Sequence, residues 1–253
     1  MLNSTLEYYR ILLYILFGIL PSLIWLFYYL KKDLHPEPKK MILKVFLMGA
    51  LITVPVFFIQ IGLSELLNQT RTLPLVASEP IIIEIIKWFF VIAFTEELFK
   101  YLVVKMHIMK SWALDEPLDI MLYMVVVALG FAAVENILYL FSPIPTISFK
   151  AVLQTTALIS FIRFIGATFL HTLCSALVGY FLALASLKNK KRLSLTMTGL
   201  LSATALHGLY DFSIMIAPAP FSAIIPIVII AGLVAFMLWD FNEIKKVKSI
   251  CKL

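Results

Sequence analysis

Four apolar stretches of this chain carry ionisable residues of the kinds that move protons or hold metal ions. They supply Glu96, Glu97 and Lys100 in Thr95-Glu96-Glu97-Leu98-Phe99-Lys100, Glu135 in Phe131-Ala132-Ala133-Val134-Glu135-Asn136, then His171, then His207 and Asp211 in His207-Gly208-Leu209-Tyr210-Asp211. Helical spacing limits what each can do. Adjacent residues diverge by roughly 100°, so Glu96 and Glu97 cannot both point squarely at one centre. Lys100 lies at i+4 from Glu96 and i+3 from Glu97 and can neutralise one of them. The other is then free to act as a general base. His207 and Asp211 share a face at i,i+4, so Asp211 can hold one ring nitrogen and leave the other turned to a common cavity.

Two chemistries use this set. In one, a glutamate deprotonates a water that attacks a carbonyl, and His207 stabilises the oxyanion or protonates the leaving group. In that version Glu97 is the base if Lys100 preferentially holds Glu96. In the other, Glu97, Glu135, His171 and His207 supply three or four ligands to zinc, which would lower the pKa of a bound water to about 7. The residues leave both versions open, with either no cofactor or zinc. A His-Glu-x-x-His helix, a Gly-x-Ser-x-Gly elbow and a phosphate loop do not occur in the sequence, which weighs against common zincins, serine hydrolases and nucleotide-driven pumps. Two classes compete with an enzyme. A proton- or cation-coupled transporter also places such groups at mid-membrane, but clear internal repeats are missing. A non-catalytic scaffold would tolerate Glu→Gln changes, and a Glu96–Lys100 pair can be purely structural.

The elements that must position these residues follow from composition. The chain has 253 residues, 62% hydrophobic and 14% charged, against about 25% charged in soluble domains. Such a chain cannot coat a soluble globule with polar groups, which leaves the bilayer. Seven stretches are long enough to cross it: 10–30, 41–67, 82–104, 118–141, 160–187, 194–217 and 221–239. They leave no room for a separate soluble domain, so residues 1–253 read as one all-α polytopic helix bundle. The first stretch lacks the basic leader and cleavage site of a signal peptide and reads as a retained helix.

Charge gives the expected orientation. Fourteen of the 21 Lys and Arg residues fall in the 31–40, 105–117 and 188–192 segments and the tail after 244, while the intervening loops hold Arg71, Lys150 and none. Positive loops stay cytoplasmic, so the N-terminus is expected outside and the C-terminus inside. The net charge of +6 belongs to those loops and not to a nucleic-acid-binding face. Cys174 and Cys251 lie in different environments and form neither a disulfide nor a metal cluster. Arg163 and Asp119, near span ends, read as snorkelling or anchoring residues. Lys87 beside Glu84 reads as an interface pair, and the clusters around Trp25 and Trp88 as interface belt or packing.

At these residues the chain resembles the PrsW family of intramembrane proteases, relatives of the prenyl-protein (CAAX) processing and bacteriocin-immunity membrane proteases. The pattern of Glu-Glu-x-x-Lys, Phe-x-x-x-Glu and His-x-x-x-Asp on successive helices is matched by Glu96-Glu97-Leu98-Phe99-Lys100, Phe131 to Glu135 and His207 to Asp211. The stretch from Lys32 to Lys39 and the run Glu116-Pro117-Leu118-Asp119 extend the likeness. The resemblance implies a bacterial cell-membrane enzyme that performs site-1 cleavage of a single-span anti-sigma factor in a stress response, releasing a sigma factor. It implies catalytic roles for Glu96, Glu97, Glu135, His171, His207 and Asp211, with Lys100, Phe131 and Asn136 in support.

Overall fold

A computed structural model describes residues 2–32, 35–70, 79–111, 114, 116–141, 148–187 and 191–244. The described residues are mostly helical, with no strand among them. Helix α1 spans Leu2–Lys32, α2 Lys39–Gln69, α4 Pro117–Leu140, α5 Phe149–Ile165, α6 Ala167–Leu187, α7 Arg192–Ile216 and α8 Phe221–Ile244. Between α2 and α4 lies α3, residues 80–107, in three consecutive segments: Pro80–Ile85, a π-helical Ile86–Phe94, and Thr95–His107.

Local chemistry fixes several helix starts. Pro80 and Pro117 occupy first-turn positions, where a missing N–H costs nothing. At α4 the Glu116 amide donates to Asp119 Oδ2 at 2.7 Å as half of a reciprocal capping box. Asp119 is therefore a capping residue and not a membrane anchor. The Ser148 side chain accepts from the Ala151 amide and opens α5.

Five stretches are long and apolar enough to cross a membrane: Glu7–Lys32, Lys39–Gln69, Pro117–Leu140, Phe149–Leu187 and Phe221–Trp239. Five such stretches are the pattern of a multi-pass membrane protein. The expected spans 82–104 and 194–217 fall outside this set because the polar residues that build the site dilute their apolar character. The expected span 160–187 lies within the longer stretch Phe149–Leu187. Phe149–Leu187 would be about 58 Å long as one helix, twice the hydrocarbon thickness, and it breaks at Gly166, against which Tyr210 packs.

Helix α4 is the centre of the bundle and packs against α1, α2, α3, α5 and α6. Its apolar window is 83% buried, against 22% in α1, 28% in α2 and 17% in α8. The outer helices show Leu12, Phe27, Leu51, Phe58, Ile227 and Trp239, the surface expected to meet lipid tails. A helix buried on all sides must be apolar all round, which explains why the run around Glu135 has no amphipathic stripe. Two close approaches set the spacing near the site. A β-carbon on Gly130 would strike the Phe46 carbonyl of α2, and one on Gly208 of α7 would strike Phe89 of the π segment. Thr53 of α2 also donates to the Phe131 carbonyl at 3.3 Å.

Candidate active site

The residues singled out by type and spacing come together at one buried cluster built from α3, α4, α6 and α7. Lys100 and Glu97 are fully buried, and Glu96, His171 and His207 are nearly so. The Lys100 ammonium has three acceptors in range: Glu97 Oε1 at 2.9 Å, Glu96 Oε2 at 3.4 Å and His171 Nδ1 at 2.8 Å. Its charge also lies 4.6 Å from the centre of the Phe131 ring. Lys100 is thus nearer Glu97 than Glu96, the reverse of the arrangement that would leave Glu97 as the free base.

Each imidazole has a carboxylate on one side and the cluster on the other. His171 Nε2 is 2.7 Å from Glu135 Oε2, which leaves Nδ1 facing Lys100 and, at 3.8 Å, Glu96 Oε2. His207 Nδ1 is 3.0 Å from Glu97 Oε1, which leaves Nε2 at 3.4 Å from Asp211 Oδ2 and 3.9 Å from Glu96 Oε2. Glu97, more than Asp211, therefore orients His207. The two rings stand edge to face, 4.9 Å apart. A carboxylate behind an imidazole fixes its tautomer and raises the basicity of the nitrogen in front.

Several partners escaped the sequence reading. Arg163 is buried and not snorkelling: Nη2 is 3.0 Å from Glu135 Oε2, Nε donates to Asn136 Oδ1, and the guanidinium lies 4.3 Å from the Tyr139 ring centre. Asn136 in turn donates to the Gly18 carbonyl and to Thr168, tying α4 to α1 and α6. Ser175, one turn after His171, donates to Glu97 Oε2 at 3.3 Å, and Gln60 of α2 donates to Glu96 Oε1 at 3.1 Å. Gln60 was visible as a lone amide in an apolar stretch. The Lys87 ammonium lies 5.0 Å from the Trp88 ring centre. Trp25 is packing, stacked on Phe169 at 4.3 Å with its indole N–H donating to the Phe164 carbonyl. The first-loop residues lie together at the α4 start, where His35 pairs with Glu116 and the Tyr123 hydroxyl donates to Glu37.

Two cavities reach this cluster. One of about 290 Å³ is lined by Glu135, Arg163, His171, His207 and Asp211, and one of about 260 Å³ by Gln60, Glu96, Phe131 and Glu135. Glu96 therefore faces open space, whereas Glu97 is walled in. The charges do not balance. Four carboxylates (Glu96, Glu97, Glu135, Asp211) meet two permanent cations (Lys100, Arg163), a deficit of two positive charges that one divalent ion or two protons would fill. One ligand atom from each of Glu96, His171 and His207 lies within 4.8 Å of the others, a buried N/N/O set suited to zinc. This set differs from the four ligands read from sequence: Glu96 enters, and Glu97 and Glu135 stand behind the imidazoles.

Known proteins share the pattern. Residues 37–239 match the family described as PrsW family intramembrane metalloprotease. Relatives named Protease PrsW include one from Oceanobacillus iheyensis, 34% identical over 77% of this chain and 80% of its own, and one from Geobacillus kaustophilus, 30% identical over 78% of each. A third, from Shouchella clausii, is 28% identical over 90% of this chain and 95% of its own. No solved structure matches the chain. The likeness read from three short motifs thus extends over most of the sequence, and the chain belongs to the PrsW family of intramembrane metalloproteases, which are peptide hydrolases.

Proposed function

We propose that the protein is an intramembrane endopeptidase of the bacterial cell membrane that performs site-1 cleavage of a membrane-anchored, single-span anti-sigma factor. In this reading the chain crosses the bilayer seven times, with Phe149–Leu187, bent at Gly166, counted as one crossing, the N-terminus outside and the C-terminus in the cytoplasm, as the loop charges favour. The observation that carries the site assignment is the position of Glu96. It is the member of the glutamate pair that lines a cavity, and its Oε2 lies 3.8 and 3.9 Å from one nitrogen of each imidazole.

The proposed division of labour follows from the contacts. Glu96 takes a proton from the attacking water. His207, aimed by Glu97 and within reach of Asp211, steadies the oxyanion or returns a proton to the leaving amine. His171 is aimed by Glu135, which Arg163 holds. Lys100 lies against both adjacent carboxylates at one depth. Glu96, His171 and His207 are the residues that would hold a divalent ion such as zinc, which would supply a more acidic water and a polarised carbonyl, and with the ion bound Glu96 would serve as a ligand in place of the base.

Co-expression of a tagged, membrane-anchored anti-sigma factor with wild type, Glu96→Gln and His207→Ala tests the reading. Cleavage is expected with wild type and lost with both variants. Undiminished cleavage by both would refute the assigned site, and a transporter would leave the tagged protein intact in every case.

A further inference from the structure

The two cavities are chambers on either side of one partition, made by Trp88, Ile92, Glu135 and Tyr139, which line both. The outer wall of one chamber includes Ile162 and Met215 of α5 and α7, and that of the other includes Phe57 and Leu138 of α2 and α4; all four are exposed to the surroundings of the bundle. Both chambers therefore have a wall that reaches the outside of the bundle. Trp88 stands at the divide with its indole Nε1 buried and without a hydrogen-bond partner. Buried unpaired donors are rare, and each calls for a reason.

A peptide bond is hydrolysed only in an unwound strand, because helical hydrogen bonds shield the carbonyl. Unwinding within a membrane leaves backbone carbonyls that need donors from the enzyme. A strand passing from one chamber to the other would present such a carbonyl at the partition, beside Glu135. Trp88 is carried by the π-helical segment Ile86–Phe94, and irregular turns of this kind recur at functional sites. Ile92 and Glu96 follow it at intervals of four, so the donor, the partition and the carboxylate lie along one side of α3.

We propose that Trp88 is a substrate-positioning residue, whose indole N–H donates to a backbone carbonyl of an unwound substrate strand threaded through both chambers. This rests on the endopeptidase reading. Chambers of about 260 and 290 Å³ each hold roughly one or two side chains, so small residues are favoured on both sides of the cut bond.

The probe is a synthetic Leu/Ala-rich single-span peptide with a central Gly-Ser segment, added to full-length Glu96→Gln protein labelled with 15N-tryptophan in lipid nanodiscs. The chain has four tryptophans, and the Trp88 indole signal is identified by its loss in Trp88→Phe. The expected result is a saturable downfield shift of that signal, with peptide binding about five- to tenfold weaker in Trp88→Phe, which keeps an aromatic ring but loses the donor. Cleavage of the same peptide by wild type and by Glu96→Gln is read in parallel. A peptide cut by wild type only, with the Trp88 signal unmoved, overturns the positioning role and leaves the endopeptidase reading standing. A moved signal with no cleavage by wild type supports Trp88 as a peptide donor and overturns the endopeptidase reading for this probe. A peptide that neither binds nor is cut overturns both.

Discussion

At the residue scale, Lys100 and Glu97 form the interior of the site and Glu96 its working face. Lys100→Met would leave Glu96, Glu97 and the Nδ1 of His171 without their shared cation. Removing one partner of a buried charge group costs about 3–5 kcal/mol, so the variant is expected to melt well below wild type in a thermal unfolding assay. Glu97→Gln keeps the shape but weakens the hold on His207 and Lys100. A loss of about 10–100-fold in cleavage rate is expected, as for other carboxylates that orient an imidazole, against a larger loss for Glu96→Gln. Sequence spacing alone had already grouped these residues, because the i+3 and i+4 rules are local. It could not say which glutamate Lys100 prefers, since that depends on His171 and Phe131 arriving from two other helices. Arg163 was misread for the same reason: its partner Glu135 is 28 residues away, on the other side of a loop.

At the element scale, the site depends on how closely α3 lies against α7 and α2 against α4. Gly208→Val would place a side chain against Phe89 and push the π segment away. Overpacking of this kind costs about 1–3 kcal/mol, and cleavage is expected to fall further than thermal stability, because the displaced segment carries Trp88 and leads into Glu96. Steady-state cleavage and melting temperature measured on the same preparation check this. The apolar runs of α1, α2, α4 and α8 were legible from length and hydrophobicity alone. The π-helical Ile86–Phe94 was not, since nothing in Ile-Lys-Trp-Phe-Phe-Val-Ile-Ala-Phe breaks an α-helix locally and the departure is sustained by packing against α7. Gly166 lies inside the expected span 160–187, but only its packing against Tyr210 shows that two helices meet there.

For the whole molecule, low overall charge sets one buried ionisable cluster apart. A chain with only 14% charged residues places four carboxylates, two imidazoles, a lysine and an arginine in one cluster and most other charges at its loops. The unbalanced pair of negative charges there suits a divalent ion. Purified protein is expected to carry about one equivalent of zinc or a similar metal, and His171→Ala and His207→Ala are expected to lose it; elemental analysis of the three preparations checks this. A green fluorescent protein fused after Leu253 is expected to fluoresce, which places that end in the cytoplasm.

The role of Glu96 is tested by cleavage of a single-span reporter in proteoliposomes by wild type, Glu96→Gln and, as a control on an exposed carboxylate, Glu65→Gln. Wild-type rates are expected for Glu65→Gln and a fall of at least about 10²-fold for Glu96→Gln. Equal rates for all three proteins would contradict that role.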